Sequence, residues 1–314
     1  MNNMQKCAVV GCGFVGSATA FELASQGVFS EIVLLDINKE KAKGEALDIA
    51  HGMPFGHPIN IYAGDYPDVA DCGLVIIAAG ANQKEGETRL DLVDKNVKIF
   101  RSIIPQITKY NRECIFLILS NPVDILTYVT LKPSGFSWRK VIGSGTVLDT
   151  ARFKYLLGQH LQVDMRNVHA FIIGEHGDSE LAVWSSANVS GIDLNEYCKI
   201  CGSCNNMESM YRLYDEVRDS AYNIIKAKGA TYYAIAMSAT RIAKAIVRNE
   251  RSVLTTSALM DDHYGMKDVC IGFPCVIGGE GIQKVLDIPL SDKEQAYLKK
   301  SADALREILA QIDI

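Results

Sequence analysis

Along this chain, short apolar runs that end at glycine or at a polar residue alternate with longer stretches whose apolar positions recur every three or four residues. Cys7 to Val10 is an apolar run ended by Gly11, and Phe14 to Gln26 follows with a helical pattern stopped by Gly27. Ile32 to Leu35 predicts a second strand, ending at Asp36, with a helix over Lys39 to Ile49. Ile59 to Ala63, Leu74 to Ala79 and Ile115 to Leu119 predict further strands. Between the last two, Leu90, Val93, Val97, Phe100 and Ile104 form one helical face, which Pro105 is expected to kink or restart. Strands that read as continuous apolar runs, linked by helices, imply a parallel sheet covered on both faces, with its ligand crevice at the strand C-termini.

After about residue 145 the rhythm changes. Helical patterns over Ala151 to Leu161, Ser209 to Lys228 and Ala230 to Val247 mix with strand patterns at Val168 to Ile173 and Ala182 to Trp184. Val253 to Met260 and Val269 to Ile277 read as antiparallel strands, and Ser291-Asp-Lys-Glu294 is a capping box opening a final helix. The expectation is a doubly wound α/β sheet over residues 1–145 and a second α+β domain over 146–314.

Composition narrows the class. With 48% hydrophobic and 22% charged residues, 25 Gly and 8 Pro, the chain of 314 residues is neither low-complexity nor disordered. A net charge of -5 gives no electrostatic reason to approach nucleic acid or an anionic membrane. The longest apolar runs fall far short of the roughly 20 residues of a membrane span. The N-terminus has no secretory pattern, so a cytoplasmic location is expected. Cys198, Cys201 and Cys204 are the only clustered thiols among nine. No fourth ligand follows at metal spacing, so they are expected in a surface turn around Gly202, and no metal is expected.

Gly11-Cys-Gly-Phe-Val-Gly16 is a GxGxxG between strand and helix, and Asp36 stands twenty residues beyond it at the end of the second strand. Together they predict a dinucleotide site, with glycines admitting the pyrophosphate and the carboxylate accepting the ribose hydroxyls. That carboxylate would repel a 2′-phosphate, and Ile37 follows rather than Arg, which favours NAD over NADP.

Four further motifs are ambiguous singly. The segment 80–89, ending at Arg89, reads as a solvated loop or a mobile lid. Asn121-Pro-Val-Asp124 is a turn signal, Asp149 a helix cap or a functional acid with Arg152 three residues on, and His176 in Gly174-Glu-His-Gly-Asp178 a turn histidine or an acid/base.

In their order and content these motifs resemble the NAD-dependent L-lactate and malate dehydrogenase family across nearly the whole length. Within it the likeness is greatest to the bacterial lactate dehydrogenases, through Ala-Asn-Gln-Lys-Glu-Gly-Glu-Thr-Arg-Leu-Asp-Leu-Val, Ser-Asn-Pro-Val-Asp-Ile-Leu-Thr-Tyr and Lys-Gly-Ala-Thr-Tyr-Tyr. The resemblance implies pyruvate reduction to (S)-lactate by NADH, the closing step of fermentative glycolysis. It implies His176 as acid/base, Asp149 as its orienting carboxylate, Arg152 as the substrate-carboxylate clamp and Arg89 as a carbonyl-polarising residue. Asn121 and Thr231 would line the substrate pocket, with Gln83 reading the substrate's side chain. Malate dehydrogenases resemble each other in having Arg where Gln83 stands, so a neutral side chain there favours a monocarboxylate. The implied cofactor site comprises Gly11, Gly13, Val15, Gly16, Asp36, Lys41, Tyr66, Gly80, Ala81, Ser102, Ser120, Asn121 and Ser144.

Lys154 and His169 match positions at which relatives bind fructose 1,6-bisphosphate across a subunit interface. Lys154 replaces the family's Arg, so a surface Lys and a buried strand His remain the alternative. A homotetramer is also implied. Two other activities stay open on sequence alone, a malate or branched 2-hydroxy-acid dehydrogenase and a catalytically silent NAD-binding regulator. The second has no use for His176 and Asp149.

Overall fold

The computed structural model describes residues 2–81, 89–202 and 207–312. The first half runs β1 (Asn3–Val10), α1 (Phe14–Ser25), β2 (Glu31–Leu35), α2 (Lys39–Gly52), β3 (Asn60–Ala63), β4 (Cys72–Ile77), α3 (Arg89–Tyr110), β5 (Ile115–Ile118), α4 (Val123–Ser134) and β6 (Val141–Gly143). These six strands pair in parallel in the order β6-β5-β4-β1-β2-β3. Chain order reverses at β1 and β4, where a doubly wound sheet opens its crevice. The central strands carry Val, Ile and Leu on both faces, and every residue of β4 and β5 is buried.

The second half adds α5 (Val147–Leu161), β7 (Val168–Ile173), β8 (Leu181–Val189), β9 (Ile192–Asp193), α6 (Leu194–Cys201), α7 (Met207–Lys228), α8 (Tyr233–Val247), β10 (Ser252–His263), β11 (Met266–Gly278), β12 (Gly281–Val285) and α9 (Asp292–Leu309). β10, β11 and β12 extend the first sheet. β10 lies antiparallel beside β6, pairing Ser257 with Gly143, so one sheet of nine strands passes through both halves. β7, β8 and β9 form a separate antiparallel sheet. Its inner residues join Phe153, Leu157 and Leu161 of α5 in a second apolar core.

Several expectations need correction. α3 runs through Pro105 as one helix rather than restarting there. Pro105 and Arg101, four residues before it, both lie on the exposed face, where the missing backbone N–H of a proline costs least because solvent can reach the backbone. α8 begins at Tyr233, leaving Thr231 in the connection from α7. Cys198 and Cys201 are on α6, half-buried against the second core, and Gly202 is only the left-handed residue that ends that helix. Cys204 lies outside the described residues. The capping box of α9 is present, and its Glu294 also accepts from Trp184 N, Ser185 N and Ser185 Oγ, fastening α9 to β8. Among the described residues no helix is long and apolar enough to cross a membrane.

Candidate functional site

The sequence-predicted residues converge where β1, β4 and β5 end. A side chain at Gly11, whose φ is +99°, would place its Cβ 2.5 Å from Ala79 N, and one at Gly16 would fall 1.7 Å from Gly11 O. Only glycine permits this turn against β4 and the helix packed upon it. At Gly13 a Cβ would meet nothing within 4 Å. Gly13 is also the N-cap of α1, and no side chain caps that helix. An open cradle facing free amides at a helix N-terminus suits a pyrophosphate. Val15 packs behind it, partly buried.

Asp36 is half-exposed at the end of β2, and its two oxygens accept from Cys12 N (2.7 Å) and Asn38 N (2.8 Å). The carboxylate therefore braces the glycine-rich turn as well as facing a ribose. Lys41 follows in α2, and Tyr66 lies beyond the end of β3, partly buried. Ser102 is exposed, about 20 Å along α3 from Arg89 at about 1.5 Å per residue. Its hydroxyl donates to Ile99 O, and among the described residues no hydrogen bond ties it to the other predicted ones.

The loops at the crevice are stitched by a residue that motif reading passed over. Asn96, 1% exposed on α3, accepts from Ala81 N at 2.7 Å and donates to Ala81 O and to Asn121 O at 2.7 Å. It stands among the polar positions of an amphipathic helix, so periodicity gives no sign of it. Ser120 donates to Ala79 O at 2.6 Å, joining the ends of β4 and β5 beside Gly80. Ser144 N donates to Ile118 O beyond β6.

The acid/base candidates meet across the two halves. Asp149 sits in the first turn of α5 and is 3% exposed. It is not the cap, a position held by Thr146, whose hydroxyl donates to Ile172 O at 2.6 Å. Thr150 bonds Ile172 and Thr255, so α5 is fixed to β7 and β10 at the residue next to Asp149. The His176 loop is held on three sides. Gly174 exchanges both backbone bonds with Gly272, Glu175 N donates to Ser301 Oγ, and His176 N donates to Asp124 Oδ2 at 2.8 Å. Asp124 is fully enclosed in α4, and burial pushes its carboxyl up to about 6.

With both backbones fixed, His176 Nδ1 lies 2.6 Å from Asp149 Oδ2, and Arg152 Nη1 donates to Asp149 Oδ1 at 3.0 Å. Burial alone would push the Asp149 carboxyl up, but the charges of His176 and Arg152 outweigh it and hold it below the ordinary aspartate value. Burial would likewise lower His176, yet Asp149 raises its pKa to about 9. The imidazole is thus charged at neutral pH, and its side chain is 26% exposed. Among the described residues, potential metal ligands converge only at Asp149, His176 and Glu180, within 4.8 Å of one another. Asp149 already serves His176 and Arg152 there, and the guanidinium would repel a second cation, so this is an ion-paired dyad rather than a metal cage.

Thr231 is half-buried in the connection before α8. Its neighbour Tyr232 stacks on Phe14 at 5.3 Å, bringing that connection onto the glycine-rich turn. Arg89 opens α3, but its side chain, with Gln83 and the rest of 82–88, lies outside the described residues. Lys154 and His169 line one cleft of about 360 Å³ together with Arg241, which belongs to no motif. His169 is exposed, not buried in its strand.

Comparison with known proteins identifies the family. The profile of the lactate/malate dehydrogenase NAD binding domain matches residues 5–143, and that of the family's alpha/beta C-terminal domain matches 146–313. Curated L-lactate dehydrogenases of Acetivibrio thermocellus and Thermoanaerobacterium saccharolyticum are 56% and 52% identical, covering 100% and 99% of this chain and 100% of their own. The crystal structure of a minor L-lactate dehydrogenase from Enterococcus mundtii superposes with a TM-score of 0.96 at 42% identity, over 98% of each chain. That of a lactate dehydrogenase from a Medee basin deep-sea metagenome does so at 0.96 and 46%, over 99% of each. With both halves matched and the NAD cradle, Asp36 and the buried dyad in place, the chain belongs to the lactate/malate dehydrogenase family.

Proposed function

We propose that the chain is an NAD-dependent L-lactate dehydrogenase, reducing pyruvate to (S)-lactate and running in reverse, with His176 as its proton donor and acceptor. The observation that carries this is the 2.6 Å contact of His176 Nδ1 with a buried, charged Asp149. It fixes the ring's orientation and leaves Nε2 for a substrate oxygen. Bound NADH supplies the hydride. His176 gives its proton to the carbonyl oxygen and Asp149 stabilises the imidazolium beforehand, while water returns the proton later. Arg152 spends one nitrogen on Asp149, and the rest of its fork suits the substrate carboxylate. Arg89 would reach the carbonyl from the lid, with Asn121 and Thr231 walling the pocket. In this reading residues 1–145 hold the dinucleotide and 146–314 supply the proton and the clamp.

Gln83 makes pyruvate the better substrate, because oxaloacetate would bury a second carboxylate against a neutral amide. The cellular role would be the closing step of fermentative glycolysis in the cytoplasm. A homotetramer is supported by exposed apolar residues on α1, α2 and α8, among them Phe21, Leu47, Tyr233 and Met237. Fructose 1,6-bisphosphate as effector is supported by the three basic side chains, Lys154, His169 and Arg241, around one cleft. Arg241 already pairs with Glu250 at 2.6 Å, so a phosphate would have to compete for it.

Replacing His176 by Asn should cut pyruvate turnover by about 10²-fold or more while NADH affinity, read by fluorescence titration, stays as in the wild type. Near-normal turnover in this variant would remove His176 from the chemistry. Gln83→Arg should raise the kcat/KM ratio of oxaloacetate to pyruvate by about 10²-fold, the order of one buried ion pair. An unchanged ratio would show that residue 83 does not read the substrate. Fructose 1,6-bisphosphate should lower the pyruvate concentration at half saturation in the wild type but not in Lys154→Ala, and more salt should weaken the effect. Activation that survives Lys154→Ala would place the effector elsewhere.

A further inference from the structure

Glu180 follows the His176 loop at the start of β8 and belongs to no motif. Its residue is 7% exposed, and its Oε1 is closed to solvent and has no hydrogen-bond partner among the described residues. A buried carboxyl oxygen without a donor is costly, and such groups persist where they serve a purpose. This one stands beside the dyad, since ligating atoms of Glu180, Asp149 and His176 lie within 4.8 Å of one another. Tyr214 fixes the backbone at this point by donating its hydroxyl to Glu180 O. On its other side Glu180 lines a cleft of about 560 Å³ between β8, α7 and α9, a route by which a proton can exchange with solvent.

We propose that Glu180 is a positioning residue of the reaction, a third carboxyl group whose charge, set by the solution, decides how firmly His176 holds the proton it delivers. The inference rests on His176 being the acid/base. Three buried carboxyls, Asp124, Asp149 and Glu180, surround one imidazole, and they cannot all be ionised in so small a space. Asp149 takes the charge because it alone touches both His176 and Arg152. Burial first, and then the charge of Asp149, push the Glu180 carboxyl up to about 8. At neutral pH Glu180 is therefore uncharged. Above that range it ionises, and a second buried negative charge makes His176 keep its proton into more alkaline solution.

The groups that face Glu180 are consistent with this order of titration. Asp149 and Arg152 come from α5, His176 from its own loop, and Arg218 from α7. Tyr214 of α7 is itself raised, by burial and then by the charge of Glu180. Arg218 is drawn off by Asp215 at 3.2 Å, so among the described residues no cation neutralises Glu180 in full. Asp178, Lys293, Glu294 and Lys300 line the same cleft.

The test is the pH profile of kcat/KM for pyruvate reduction in the wild type, Glu180→Gln and Glu180→Asp. Glu180→Gln cannot acquire the charge, so its alkaline limb should move down by about one pH unit, and the rise of lactate oxidation should move down with it. Glu180→Asp keeps a titrating group and should hold the limb closer to that of the wild type. NADH affinity reports that each variant is folded. A Glu180→Gln profile lowered at all pH values with its midpoint unmoved would make Glu180 merely structural and overturn the proposal, as would an equal shift in both variants. If His176→Asn retains turnover, the reading of His176 fails instead. Loss of turnover there with no shift in Glu180→Gln refutes only the role of Glu180.

Discussion

The ion pair of Asp149 and His176 is the interaction on which the rest of the architecture depends. A carboxylate with 3% exposure is costly to ionise, and it stays ionised here only because an imidazolium and a guanidinium lie within 3.0 Å of it. The two members of the pair come from different places, one from the first turn of α5 and the other from a loop after β7. Their 2.6 Å separation requires both backbones to be located to a fraction of an ångström. The fold supplies that precision with short polar bonds. Thr146 and Thr150 fix α5 to β7 and β10, while Gly174 with Gly272 and Asp124 with His176 fix the loop.

The same sheet carries both chemistries. β1, β4 and β5 end at the dinucleotide cradle, and β10 continues the sheet from β6 toward the strand that anchors the His176 loop. In the proposed reaction, one continuous sheet would therefore carry both the dinucleotide cradle and the anchor of the His176 loop, which suits chemistry in which hydride and proton must reach one carbon–oxygen bond. Asn96 and Ser120 hold the loops between them in register.

Much of this could be read from the sequence because its signals are local. Runs such as Leu74 to Ala79 have one interpretation, the Ser291 capping box is a four-residue pattern, and Gly11 and Gly16 mark a turn that no other residue allows at those positions. What escaped was non-local or unpatterned. α4 shows no amphipathic stripe because residues 123–131 are buried all round. The continuity of α3 through Pro105 depends on which face is wet, which propensity does not state. The union of β6 with β10 joins residues more than a hundred positions apart. Arg241 reaches the cleft of Lys154 and His169 only through the packing of α8, and the bracing of the glycine-rich turn by Asp36 joins residues 24 positions apart. Glu180 has no motif at all, and only its burial beside the dyad distinguishes it from any acidic residue after a turn.

Whether Asp149 holds His176 protonated is read directly by an NMR titration of the wild-type protein labelled in its histidine rings. With the His176 signal assigned by its loss in a His176 variant, the imidazole should titrate near 9, well above the ordinary 6.5, and Asp149→Asn should bring it down by two units or more. A His176 that titrates near 6.5 in the wild type, or one indifferent to Asp149→Asn, would contradict the ion pair and the chemistry built upon it.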